Sequence, residues 1–149
     1  MTPLSLIGRA FQSVTSRLTV PYFGLIHCGF PSPAEDYVLA ELSLDELIIL
    51  NPPATFMLRA AGNSMRDVNI NPGDIVIVDK SRSAKHNSIV IAVYQGEFVC
   101  KRLIIDRKDN RITLQAENPE YPSITVEDRD QLDIWGVVTW TAHCHLDTP

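Results

Sequence analysis

"EFVCKRLII", Glu97 to Ile105, alternates with a period of two: Val99, Lys101, Leu103 and Ile105 fall on one face and Phe98, Cys100, Arg102 and Ile104 on the other. That pattern is a strand. Around it, "TFMLRA", "DIVIVD", "SIVIAVY", "RITLQ", "SITV" and "LDIWGVVTW" are likewise rich in Val and Ile and are separated by turn residues. "NPGD" at Asn71 to Asp74 sets Pro and Gly in the centre of a turn, and "QG" between Tyr94 and Glu97 suits a tight hairpin. Everything from about residue 55 onward therefore reads as a small, mostly β domain of antiparallel sheets.

Upstream the pattern changes. "SPAEDYVLAEL" offers Ser32 as N-cap, Pro33 at the first helical position and Glu35 as capping-box partner, with Val38, Leu39 and Leu42 on one face. "SLDELIIL" repeats the device with Ser43 and Glu46, and "NPP" at Asn51 to Pro53 stops it. Two short helical turns are expected there. Residues 1 to 31 hold neither period and are broken by Pro21, Gly24, Gly29 and Pro31, so they read as an extended N-terminal arm ahead of a domain over 32–149.

Composition narrows the function. With 149 residues, 45% of them hydrophobic and 21% charged, the chain has enough apolar material for one core. A net charge of -5 argues against tight, sequence-independent grip on phosphate backbones, so any tie to DNA should run through another protein. Arg9 and Arg17 interrupt the opening where a signal peptide would be apolar, and no run of about 18 apolar residues occurs. A cytoplasmic protein with no membrane partner is expected. Cys28, Cys100 and Cys144 are an odd number without metal-ligand spacing, so neither a disulfide framework nor a metal or other cofactor is expected. The tail "HCH", His143 to His145, reads as a frayed terminus.

Two residues carry chemistry. In "AAGNSMRD", Gly62 and Asn63 permit a sharp bend directly after a strand, which presents the Ser64 hydroxyl and aims the nearby backbone N–H groups, those of Asn63 and Ser64, at one point. An acyl-transfer nucleophile with an oxyanion hole needs that arrangement. Alone, a serine in such a turn usually just satisfies the turn. Lys101 adds weight, because it shares the more apolar face of its strand. A free lysine, with a pKa of about 10.4, is neutral only about once in 2,500 molecules at pH 7 and serves as a base only when desolvation lowers that value. A snorkelling lysine at a strand edge is the plainer alternative. No Ser/His/Asp set competes: His27 lies in the arm, His86 in a polar turn, and His143 and His145 in the tail. Ser64 and Lys101 are the economical dyad.

"GNSMRDVNINPGDIVIVDKS", followed by "GEFVCKRL" with its lysine 37 positions after the serine, resembles the self-cleaving Ser/Lys peptidases of the LexA and UmuD group. The arm, "HCGFPSP", is similar to that of UmuD-type SOS mutagenesis proteins, the group with MucA and RumA. The likeness runs from about Phe23 to Val138. It implies Ser64 as nucleophile, Lys101 as general base and Cys28–Gly29 as the scissile bond. Asn63 departs from the pattern, since an acidic residue is common there, and so does the tail "TAHCHLDTP". An extended arm can add to a β domain as a strand, with a small Cys28 side chain and no side chain on Gly29 to block the hydroxyl.

The resemblance further implies that RecA filaments on single-stranded DNA stimulate cleavage, and that the trimmed homodimer joins an error-prone Y-family polymerase of the UmuC type. Three other readings compete. A signal-peptidase-like protease shares "NSM", "GDIVIVDK" and "CKR", but no membrane anchor precedes Ser64. A LexA-type repressor with direct sequence-specific DNA binding needs a helix-turn-helix that 28 residues cannot fold. A catalytically inert dimeric β-domain binding module has no need of both Ser64 and Lys101.

Overall fold

The computed structural model describes the backbone of residues 5–9 and residues 17–26, 28–29, 33 and 38–147. In chain order the elements are β1 (Ser5–Arg9), β2 (Val20–Tyr22), β3 (Ala40–Leu42), α1 (Leu44–Ile48), β4 (Thr55–Arg59), β5 (Ile75–Asp79), β6 (Ile89–Tyr94), β7 (Glu97–Asp106), β8 (Arg111–Gln115), β9 (Ile124–Thr125) and β10 (Leu132–Ala142). They divide between two units, residues 12–50 and residues 1–11 with 51–149. The boundary expected between residues 31 and 32 lies outside the described residues.

In the larger unit eight strands form one antiparallel sheet in the order β1-β4-β5-β10-β6-β7-β8-β9. All seven strands expected after residue 54 are present. Both faces of the central strands are covered. Leu58, Met65, Val76, Val78 and Ile91 pack in one buried cluster, and Val90, Val99, Leu103, Leu114 and Val126 in another. Neighbours Val90 and Ile91 on β6 thus serve opposite clusters, which is why "IVIAV" is continuously apolar rather than alternating. On β7 the alternation survives: Val99, Lys101 and Leu103 are buried, and Cys100 turns the other way onto the first cluster.

The turns follow their residues. Asp74 N–H donates to the Asn71 carbonyl across "NPGD", with Gly73 at φ +91°. Gln95 and Gly96 both take positive φ between β6 and β7, the twist a two-residue hairpin requires, and Tyr94 pairs with Glu97. In the long β10, Gly136 sits at a register shift and lies so close to Val78 that a Cβ on it would stand 2.5 Å from Val78 Cγ1.

In the smaller unit β2 and β3 pair, Val20 with Leu42 and Tyr22 with Ala40, and α1 follows. Here the first of the two expected helical turns is corrected. Ser32 and Glu35 lie outside the described residues, but Leu39 N–H donates to the Tyr22 carbonyl and Ala40–Leu42 is strand. Val38, Leu39 and Leu42 are exposed, so no buried stripe holds a helix there and the backbone groups pair across the ladder instead. The second turn is α1, with Ser43 at its N-cap; the Ser43 side chain makes no cap hydrogen bond, and Glu46 pairs with Arg17 rather than closing a capping box.

Candidate active site

β4 leads straight into the serine turn, and the turn is held at every step. Ala60 exchanges bonds with the "NPGD" corner, its N–H donating to the Asp74 carbonyl at 2.8 Å and its carbonyl accepting from Gly73 N–H at 2.9 Å. Gly62, at φ +79°, makes the bend that an L side chain would resist. Beyond it Met65 is buried in the first cluster, and its carbonyl accepts from both Val68 and Ile70 N–H, closing a short 3-10 turn at Arg66–Val68. A second segment clasps the turn from outside. Glu117 N–H donates to the Ser64 carbonyl at 2.8 Å, Asp67 N–H donates to the Glu117 carbonyl at 2.9 Å, and the buried Asn118 donates Nδ2 to the Asn63 carbonyl at 2.8 Å.

β7 supplies the other half. Its register against β6 sets Lys101 opposite Val90, and Arg102 is held by an ion pair with Glu117 and by a bond to the Asn87 carbonyl. Lys101 is only 8% exposed. Its Nζ reaches Ser64 Oγ at 2.8 Å and the Cys100 carbonyl at 3.2 Å. Among the described residues no carboxylate pairs with it. Burial therefore holds the Lys101 ammonium below the usual lysine range, with the neighbouring Cys100 opposing weakly. Burial also pushes the Cys100 thiol up to about 12, so that at neutral pH it is an uncharged core side chain.

The two residues singled out by their types and spacing are thus brought into hydrogen-bond contact. With Lys101 neutral, the same contact runs in reverse and lets Nζ accept the hydroxyl proton. Among the described residues no protein group accepts from the backbone N–H of Asn63 or Ser64. Cys28 and Gly29 belong to the 12–50 unit; both are exposed in a bend, and a Cβ on Gly29 would meet nothing within 4 Å. His86 accepts the Ile105 N–H through Nδ1, and His143 bonds the buried Asp74, so the tail is tied at His143 rather than frayed there. Glu117 and Asn118 carry no signal of this role in the sequence. "ENPEY" signals a polar turn at a proline, and nothing in it says that the turn embraces Ser64.

Comparison with known proteins shows the family. The profile of the peptidase S24-like family matches residues 21–139. Protein MucA of Salmonella typhimurium and of Escherichia coli is 42% identical over 119 residues, covering 79% of this chain and 80% of the relative. Protein SamA of Salmonella typhimurium strain LT2 is 44% identical over 115 residues, 77% of this chain and 78% of SamA. The LexA repressor of Photorhabdus laumondii is 33% identical over 124 residues, 83% of this chain and 60% of the repressor. The chain belongs to the S24-like peptidases, the Ser/Lys self-cleaving family, and within them to the UmuD-like SOS mutagenesis proteins.

Proposed function

We propose that the chain cuts itself between Cys28 and Gly29, with Ser64 as nucleophile and Lys101 as general base. The observation that carries this reading is a buried lysine with no carboxylate partner among the described residues, 2.8 Å from a serine hydroxyl held in a clasped turn. Neutral Lys101 takes the Ser64 proton as Oγ attacks the Cys28 carbonyl carbon, and the oxyanion is received by the Asn63 and Ser64 N–H groups. The Cys28–Gly29 bond breaks as Lys101 returns the proton to the Gly29 nitrogen. Water, deprotonated by Lys101, then hydrolyses the Ser64 ester. Lys101 passes the water's proton to Ser64 Oγ, residues 1–28 leave with a new carboxylate, and residues 29–149 keep the restored Ser64 and carry a free amine at Gly29. Every step needs only protons and water, and no metal ion or cofactor is assigned a part.

In this reading residues 1–31 act as the arm and residues 32–149 as the peptidase domain, working in the cytoplasm during the SOS response. A RecA filament on single-stranded DNA stimulates the cut by favouring a docked arm, and the processed homodimer serves as accessory subunit of a UmuC-type Y-family polymerase. The net charge of -5 fits contact with DNA through those partners rather than directly. An inert binding module would gain nothing from a buried lysine that costs stability, which favours the catalytic reading. Intact-mass measurement of the purified protein, alone and with RecA, nucleotide and single-stranded DNA, tests it. New termini at Cys28 and Gly29 support the proposal, and an uncut chain under both conditions defeats it.

A further inference from the structure

Asn118 is 3% exposed, and both ends of its amide are used: Nδ2 donates to the Asn63 carbonyl at 2.8 Å, and Oδ1 accepts the Glu120 N–H at 3.0 Å. The described peptide bonds are all trans. In a trans peptide unit the carbonyl and the N–H point to opposite sides of the chain. The carbonyl of the unit joining Asn63 to Ser64 faces Asn118, so the Ser64 N–H faces away from it. Glu117 fixes the next plane in the same manner, through the Ser64 carbonyl. The Arg66 N–H also reaches the Asn63 carbonyl, at 3.2 Å, which closes the turn locally; the shorter bond from Asn118 comes from a distant segment and sets the tilt of the plane. A hydrogen bond on the carbonyl further polarises the peptide unit and strengthens its N–H as a donor.

We propose that Asn118 is a positioning residue of the oxyanion hole, its side-chain amide holding the Asn63–Ser64 peptide so that the Ser64 N–H is presented to the oxyanion formed at the scissile carbonyl. The proposal rests on the peptidase reading above. It adds a role for a residue that touches neither the hydroxyl nor the lysine.

Asn118→Asp keeps the acceptor for the Glu120 N–H and the side-chain volume, but replaces the donor with an oxygen facing the Asn63 carbonyl. Asn118→Ser removes the amide without adding charge. Self-cleavage would be followed from neutral to alkaline pH for both variants, the unaltered chain and Ser64→Ala. The expected result is a plateau rate lowered roughly 10- to 100-fold in both Asn118 variants, approaching the loss seen when an oxyanion donor is deleted. The pH midpoint of the rising limb, read on Asn118→Ser, stays where the unaltered chain has it, because the Ser64–Lys101 contact is untouched. A full plateau in folded Asn118→Asp overturns the proposal and leaves the peptidase reading standing. So does a midpoint raised by about one unit or more in Asn118→Ser, which would make Asn118 a prop for the dyad. An unaltered chain that never cuts, or a Ser64→Ala chain that does, removes the peptidase reading and this inference together. Should both variants unfold, the unaltered chain decides: a short peptide aldehyde captured by Ser64 shifts the Ser64 amide proton downfield in NMR, and an unmoved amide overturns the proposal.

Discussion

Ser64 and Lys101 stand 37 residues apart in the chain and 2.8 Å apart in space, the hydroxyl on a turn and the ammonium on a strand. Their contact joins a nucleophile held by backbone bonds to a base held by sheet register. Neither depends on the other for its place.

Removing the hydroxyl should therefore leave the fold alone. Ser64→Ala is expected to abolish appearance of the 29–149 fragment while its melting temperature stays within about 2 °C, since a partly exposed hydroxyl contributes little burial. Mass spectrometry with a thermal melt checks both halves, and normal processing in the folded variant would sink the assignment of the nucleophile.

The pH dependence follows from the direction of the Lys101 shift. Burial lowers its pKa, so the cleavage rate should rise about tenfold per pH unit from neutrality and level off before about 10.4, the ordinary lysine value. Lys101→Arg should be inactive throughout, because a guanidinium stays protonated. Initial rates in a pH series, with circular dichroism at each point, test this; a flat profile or an active arginine variant contradicts it.

Stability carries the same sign. The unfolded chain keeps Lys101 protonated up to about pH 10.4, whereas the folded chain releases that proton earlier, so between the two values the unfolded state binds more protons. Lys101 should thus contribute a rise in stability with pH across that window and a constant penalty below it. Lys101→Met, which keeps the volume and discards the buried charge, should raise the melting temperature at pH 7 by roughly 2–8 °C and lose the alkaline rise. An unchanged or lowered melting temperature would mean that the hydrogen bonds to Ser64 and the Cys100 carbonyl outweigh desolvation.

Gly136 tests the packing of the sheet. An added Cβ would press on Cγ1 of the fully buried Val78 at 2.5 Å, and the neighbouring Asp79 carbonyl at 3.4 Å leaves little room to yield. Gly136→Ala should cost about 1–3 kcal/mol in denaturant unfolding. A neutral result would show that β10 can slide at its register shift.

The homodimer is open to direct measurement. Light scattering at micromolar concentration should report twice the 16.6 kDa chain mass before cleavage and twice the mass of the 29–149 fragment after it. A monomer in both states would remove the homodimer from the proposed function.

The strands were legible because their physics is local. Val99, Lys101 and Leu103 announce a buried face by alternation alone, and Gly96 announces the hairpin by its tolerance of positive φ. Val38, Leu39 and Leu42 suggest a helix by their spacing, while the ladder that claims Leu39 and Leu42 comes from Val20–Tyr22, remote in sequence. The clasp of Glu117 and Asn118 on Ser64 was invisible for the same reason. Backbone carbonyls have no letter code, and the partner of a side-chain amide is chosen by tertiary structure.

The two-residue turn at Gln95–Gly96 makes chain length a determinant of chemistry. Surface hairpins ordinarily absorb an inserted or deleted residue, but here Lys101 follows the turn on a strand whose pairing begins at Tyr94 and Glu97. A one-residue slip in that pairing would rotate Lys101 to the opposite face and bring Cys100 or Arg102 inward in its place. One would offer a thiol and the other a permanent cation where a proton acceptor belongs. An indel in this exposed hairpin would therefore act as a point mutation in the catalytic centre, without altering a residue of it.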